Sequence, residues 1–189
     1  ASSTPFVIME KTEAILIGRT RYAESSLIVQ WCSPEVGLFK TIAKGSLRPK
    51  SPLYGVLDLF VSADLRFVRS KSSDLHTLAE ARWTNPRLGL RESYGRVLAA
   101  TYLVKLITLV AETDSPIPEI HDLLVKALDY LAAKDPVPAL ITRFEQRLAE
   151  ILGIIPEGET GMAAAAIEDS FHRKLPVQRR QLADWMAKH

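Results

Sequence analysis

Cysteine is almost missing from this chain of 189 residues: Cys32 is the only one. No disulfide can form within the chain, and a cysteine-rich zinc site is excluded. Histidine is scarce as well, with His76, His121, His172 and His189 scattered at no metal-ligand spacing. No apolar run approaches the roughly 20 residues of a membrane span. The opening Ala1-Ser2-Ser3-Thr4-Pro5 lacks the basic start and apolar core of a secretion signal. There is no Gly-rich phosphate loop, no nucleophile motif and no recognisable carboxylate pair. The expectation is therefore a chain that is no enzyme and carries neither metal nor cofactor. Charge of one sign is also lacking, since the net charge is only +2. Any surface for a polyanion must then be local. Apolar content of 47% and charged content of 24% leave an ordinary globular composition, which fits a cytosolic compartment.

The most informative stretch present is residues 37–54, Gly-Leu-Phe-Lys-Thr-Ile-Ala-Lys-Gly-Ser-Leu-Arg-Pro-Lys-Ser-Pro-Leu-Tyr. A short apolar strand runs into a loop in which Lys44, Arg48 and Lys50 are interleaved with Gly, Ser and Pro. Ammonium and guanidinium groups gain from phosphate through charge-assisted bonds and counterion release. Gly45, Pro49 and Pro52 keep the segment out of helix and limit the entropy it loses on binding. A solvated loop with a few lysines is the plainer reading of the same residues.

The chain changes character near Trp83. Before it the apolar pattern has period two, as in Leu27, Val29 and Trp31, or in Leu57, Leu59, Val61, Ala63, Leu65 and Phe67. Such alternation predicts strands over 12–21, 26–33, 38–43, 57–68 and 75–83, with a hairpin connection at 34–37. Five short strands suggest a small barrel, because closure removes unpaired edges. After Trp83 the period is helical. Ile120, Leu123, Leu124, Ala127, Leu128 and Leu131 share one face, as do Leu140, Ile141, Phe144, Leu148, Ile151 and Leu152. Residues 97–111 are apolar almost all round, which predicts a helix buried on several sides. Asp135-Pro136 reads as an N-cap and first helical residue, and Gly153 as a C-terminal stop. Shorter helices are predicted over 162–172 and 177–188. The expected architecture is α+β in two domains, a five-stranded barrel over 1–83 and an all-α domain over 84–189. Separate cores are expected, one around Val29, Leu59 and Val61, the other around Leu106, Leu124, Leu128, Phe144 and Leu148.

Charge follows the same division. Residues 37–73 hold Lys40, Lys44, Arg48, Lys50, Arg66, Arg69 and Lys71 against only Asp58 and Asp64, a balance of +5. Residues 84–189 hold thirteen basic and fourteen acidic residues, so the positive field belongs to the β half. The seven cations form the candidate DNA-binding set, with the basic loop and the 66–71 turn as the walls of one groove. Tyr54, Tyr22, Phe39 and Phe60 are candidate base stackers. Phe39 and Phe60 lie on strands, where a core role is the commoner one. Each histidine reads as surface or structural.

These residues resemble the bacterial DNA repair and recombination mediator family RecO. The resemblance rests on Gly37-Leu38-Phe39, Ala43-Lys44-Gly45 and Arg48-Pro49-Lys50-Ser51. It rests further on the approach to the second strand at Arg21-Tyr22-Ala23-Glu24-Ser25-Ser26-Leu27, and on a helix carrying Arg143-Phe144-Glu145, over roughly Thr12 to Pro156. It implies an N-terminal OB-fold, a helical C-terminal domain, binding to single- and double-stranded DNA and annealing of complementary strands. The implied partners are RecR, single-strand binding protein and the RecA recombinase. The chain departs from the family pattern at Ser46-Leu47, where a second arginine is common. It departs again at residues 156–161, where many members carry a zinc-binding cysteine cluster and this chain has none. Zinc is therefore not expected, and packing of Ile167 and Phe171 is expected to hold residues 156–174 instead. Arg143 and Arg147 are the candidate partner-binding residues, for the acidic, apolar tail of single-strand binding protein. Two alternatives stay open at this stage: a protein-interaction scaffold that uses the helical half, and an RNA-binding OB-fold protein.

Overall fold

The computed structural model describes residues 7–189; the opening segment read above for a secretion signal lies outside them. Five strands come first: β1 (Met9–Tyr22), β2 (Ser26–Ser33), β3 (Gly37–Ala43), β4 (Ser62–Val68) and β5 (Leu75–Asn85). They close into a barrel in the order β1-β2-β3-β5-β4. β1 is long enough to serve both ends of the sheet. Its first half pairs with β4, from Met9↔Val68 to Ile15↔Ser62. Its second half pairs with β2, from Ile15↔Cys32 to Tyr22↔Ser26, with an irregularity between Leu16 and Gly18. A bulge of this kind bends one strand enough to close a small barrel. A short parallel ladder between β3 and β5, Lys40↔Leu75 to Ile42↔Thr77, completes the closure. This is the OB-fold arrangement.

The barrel core follows the period-two faces. Ala14, Leu16, Val29, Trp31, Phe39, Leu65 and Phe67 are among the buried members of one cluster. The Trp31 indole N–H donates to Thr41 Oγ1 at 2.9 Å, so the polar end of the ring is satisfied inside. Gly37 turns the β2–β3 hairpin at φ 85, and a Cβ there would stand 2.1 Å from the Ser115 carbonyl oxygen. Only glycine fits both constraints.

One strand starts later than its alternation predicts. β4 begins at Ser62, not at residue 57. Phe60 has φ 69, which breaks the extended run. The chain is pinned there by Phe60 N–H donating to Leu16 O at 2.8 Å and Leu16 N–H donating to Val61 O at 2.9 Å. Leu57 stays in the core cluster. Leu59 does not: it is 36% exposed, so its expected core role is corrected.

The remainder is a 3₁₀ turn (Leu88–Glu92) and five helices, α1 (Tyr94–Val110), α2 (Pro118–Ala133), α3 (Pro138–Ile151), α4 (Ala163–Phe171) and α5 (Gln178–Lys188). The chain divides into two compact units, 1–86 with 113–116, and 87–112 with 117–189. In the helical unit α1 is buried on most sides, as its uninterrupted apolar run requires. Leu106, Leu124, Leu128, Phe144 and Leu148 are all buried. α5 lies so close to α1 that a Cβ on Gly95 would stand 2.4 Å from the Trp185 ring. Ile167 is fully buried and anchors α4.

The expected N-cap at Asp135 is also corrected. α3 begins at Pro138, and Val137 before it is extended at φ −124, ψ 154. A residue preceding proline is driven out of the helical region, so Pro136-Val137 cannot join the helix. The Asp135 carboxylate instead accepts from Arg96 Nε at 3.0 Å. Gly153, at φ 70, does end α3.

Candidate nucleic-acid interface

Between β3 and β4 the chain forms a string of tight turns. Arg48 N–H donates to Gly45 O, Ser51 N–H to Arg48 O and Tyr54 N–H to Ser51 O, each at 3.0 Å. Pro49 and Pro52 sit where no donor is needed. The apolar residues of the loop turn inward. Leu53 and Leu57 enter the barrel core, and Leu47 packs against it. Two bonds tie the loop to the β1–β2 turn: Leu47 N–H to Ser25 O at 2.9 Å and Gly45 N–H to Ser26 Oγ at 3.1 Å. With the leucines anchored, Lys44, Arg48, Lys50 and Tyr54 are left exposed on the outside. None of the three cations has an ion pair among the described residues.

The other predicted cations divide. Lys40 projects from β3, exposed, opposite Gln30 on one side and Leu75 on the other. Lys71 is exposed in the β4–β5 connection. Arg66 faces Glu80 at 3.5 Å. Arg69 is held by Glu10 at 2.7 and 3.2 Å and by Asp114 at 3.4 Å, with its guanidinium 5.9 Å from the centre of the Phe67 ring. Its hydrogen bonds to Glu10 raise the guanidinium's proton affinity still further. Arg69 is thus a fastener of the β1 and β4 ends and of the 113–116 segment. Its partners are 59 and 45 residues away in sequence, which is why the composition of 37–73 concealed them.

Around Arg66 the barrel surface is of mixed charge. A cavity of about 830 Å³ in the barrel unit brings Pro52 and Leu53 to Arg66, but Lys11 and Arg82 share it with Glu13, Asp64 and Glu80. Three cations against three anions make a poor track for phosphate. Among the candidate stackers, Phe39 and Phe60 are buried, while Tyr22 and Tyr54 are 51% and 56% exposed. Phe39 packs with Phe67 and His76 inside the barrel.

In the helical unit, α2 and α3 leave a groove of about 470 Å³. Leu123, Ala127, Leu140, Phe144 and Ile151 supply its apolar floor, and Lys126, Arg143 and Arg147 line its edge together with Glu119 and Asp122. Lys126 is bonded to Asp122 at 2.8 Å and Arg147 to Glu150 at 3.0 Å. The bond from Arg147, helped by Gln146, holds the Glu150 carboxyl below its usual range. Arg143 is exposed with no ion pair among the described residues. Arg173, Lys174, Arg179 and Arg180 lie outside the groove; Arg179 is committed to the buried Glu145 at 2.8 Å.

Cys32 is buried, and burial pushes its thiol up to about 12. His76 is buried, accepting from Ser70 N–H at 2.9 Å through Nδ1. Among the described residues no group of His, Cys, Asp or Glu has a metal-binding arrangement. No described helix is long and apolar enough to cross a membrane.

Comparison with known proteins agrees with this geometry. Residues 8–87 match the family described as Recombination protein O N terminal. Residues 91–172 match Recombination protein O C terminal. The chain is 30% identical over 155 residues to a protein of Neisseria meningitidis serogroup B named DNA repair protein RecO, covering 79% of this chain and 57% of that one. It is 31% identical over 147 residues to the protein of the same name from Salinibacter ruber, covering 77% and 56%. The Neisseria gonorrhoeae protein is 28% identical over 165 residues, covering 86% and 65%. The chain thus spans a little over half the length of these relatives. With the two matches falling in order on the barrel and on the helices, the chain belongs to the recombination protein O (RecO) family.

Proposed function

We propose that this chain is a DNA-binding recombination mediator in DNA repair. It binds single- and double-stranded DNA, anneals complementary strands, and assists recombinase loading onto DNA coated with single-strand binding protein. The observation that carries this reading is the set of unpaired, exposed cations Lys40, Lys44, Arg48 and Lys50 on one strand and the loop that follows it. Annealing needs charge neutralisation, so that two polyanions can approach, and bases left free to pair. It needs no catalytic group, and the chain acts without one. The names of the relatives, DNA repair protein RecO, support the same reading.

The α2–α3 groove favours a second element. Its apolar floor with Arg143 and Arg147 at the edge suits an acidic, apolar peptide. The tail of single-strand binding protein is the occupant proposed, with RecR and the RecA recombinase as further partners in the cytoplasm at the nucleoid.

Fluorescence anisotropy with labelled single- and double-stranded DNA, together with an annealing assay on complementary oligonucleotides, tests the reading. Binding that weakens steeply with salt and a rate of annealing above background are expected. Absence of DNA binding at low salt would overturn it, and a clear preference for RNA in competition would move the chain to RNA processing.

A further inference from the structure

The outer face of β1, β4 and β5 carries two rows of charge set by strand register. One row is Lys11, Arg66, Glu80, and the other is Glu13, Asp64, Arg82. All six residues are exposed. Between the rows Thr12 and Leu65 are buried, and Ala81 packs against the core. The order of the signs is unusual. Like charges placed directly opposite each other destabilise a sheet. Yet both pairs between β1 and β4 are like-charged, Lys11 beside Arg66 and Glu13 beside Asp64. The pairs between β4 and β5 are opposite in sign, with Arg66 at 3.5 Å from Glu80 and Arg82 at 3.4 Å from Asp64. That leaves Lys11 and Glu13, one charge of each sign, with no ion pair among the described residues.

We propose that this face binds a second copy of this chain. The two-fold axis lies in the plane of the sheet and crosses the strands midway between the rows. Such an axis sets each row over the other row of the second copy, as a contact between identical patches requires. Lys11 then meets Glu13 of the second copy, Arg66 meets its Asp64, and Glu80 meets its Arg82. Every position faces an opposite charge, and the two free charges meet each other twice. An axis along the strands fails, because it sets Arg66 on Arg66 and Asp64 on Asp64. The signs therefore select one axis. They select the partner as well. Three cations against three anions give no net charge with which to hold a polyanion or an acidic peptide. A second copy carries the complementary order by symmetry. The like-charged pairs between β1 and β4, a cost in the single chain, become parts of an alternating network in the dimer. Exposed ion pairs are individually weak and screened by salt, so the dimer is weak and salt-labile. It carries two copies of the 44–50 loop, one for each of two strands to be annealed. Dimerisation itself needs no nucleic acid and stands apart from the DNA-binding reading.

The test is sedimentation equilibrium of the full chain without DNA, at low salt and at about 1 M salt, where the screening length falls to about 3 Å. The variants are Lys11→Glu, Glu13→Lys and the chain carrying both. The wild type is expected to form a reversible dimer at low salt and to dissociate at high salt. Each single reversal sets like charges together twice and is expected to weaken the dimer roughly tenfold or more. Within one chain each reversal replaces a like-charged pair by an opposite one, so weaker association is not a weaker fold. Thermal melting of each variant checks this. An equimolar mixture of the two single variants is expected to recover association. The new carboxylate of one chain then meets the new ammonium of the other, and the two unaltered groups meet each other. The double reversal is expected to recover it too, since the two signs are exchanged. A purely structural role for Lys11 and Glu13 gives no rescue on mixing. The inference is overturned by a wild type that stays monomeric up to millimolar concentration at low salt. It is overturned equally by a dimer indifferent to both single reversals, or by single variants that fail to associate when mixed. DNA binding by a monomeric wild type leaves the DNA reading standing.

Discussion

Arg179 Nε donates to Glu145 Oε2 at 2.8 Å and Nη2 to Oε1 at 3.0 Å, a two-bond fork that fastens α5 to α3. The Glu145 side chain is 2% exposed, and the Tyr102 hydroxyl of α1 reaches the same carboxylate at 3.1 Å. A carboxylate buried this deeply is tolerated because both oxygens are occupied. Burial and the neighbouring Glu145 charge raise the Tyr102 phenol, which therefore stays a donor throughout the working range.

Replacing Arg179 with Leu is expected to cost about 2–3 kcal/mol. That is below the ~3–5 kcal/mol of a fully buried pair, because Arg179 is itself partly exposed. Tyr102→Phe is expected to cost about 1 kcal/mol. Urea denaturation checks both. If Arg179→Leu proves neutral, the fork does not hold α5.

For the basic loop, Lys44→Ala, Arg48→Ala and Lys50→Ala together are expected to remove about three phosphate contacts. The slope of log K against log salt then falls by roughly 2–3 units, with the thermal transition unchanged. An unaltered slope in the folded triple variant would rule the loop out as the phosphate site.

In the helical unit, Arg143→Ala with Arg147→Ala is expected to weaken binding of an acidic, apolar tail peptide by roughly tenfold or more at low salt, leaving DNA affinity alone. Titration calorimetry with the peptide reads this directly. No binding by the wild type at low salt would dismiss the α2–α3 groove as the peptide site.

The Asp135 carboxyl is held below its ordinary range by the nearby Ser93 side chain and then by the hydrogen bond from Arg96. A depressed carboxylate contributes stability that is fully present above its unfolded pKa and is lost as pH falls through the lower folded value. Wild type and Asp135→Asn should therefore differ at neutral pH and converge in strong acid, as the folded Asp135 carboxylate takes up its proton. A stability gap that persists unchanged into strong acid would show that charge at Asp135 is not its source.

Local chemistry made much of the chain legible in advance. Period two marked the strands, period 3.6 the helices, and Gly153 the end of α3. The exposed cations of the 44–50 loop were also readable, since proline, glycine and buried leucines two or three residues away leave them no inward direction. Predictions failed where a neighbour overruled a pattern. Leu59 fits the alternation of its segment, but the backbone is left-handed at Phe60, which is buried there while Leu59 is exposed. Asp135-Pro136 has the form of a helix start, but Pro138 two residues on forbids it.

The sequence by itself determined the two-part order, the small barrel before the helices, and the identity of the loop that carries unpaired charge, because each depends on residues within a few positions of one another. Only the tertiary structure decided which cations remain free. Arg69 pairs with Glu10 and Asp114, Arg66 with Glu80, and Arg179 with Glu145, and strand register and helix packing bring those carboxylates in from distant parts of the chain. The same register lays the Gln30 amide across Gly18, twelve positions earlier in sequence but directly opposite in the sheet. Coulomb attraction and hydrogen bonding act over a few ångströms, and folding, not sequence distance, sets those ångströms.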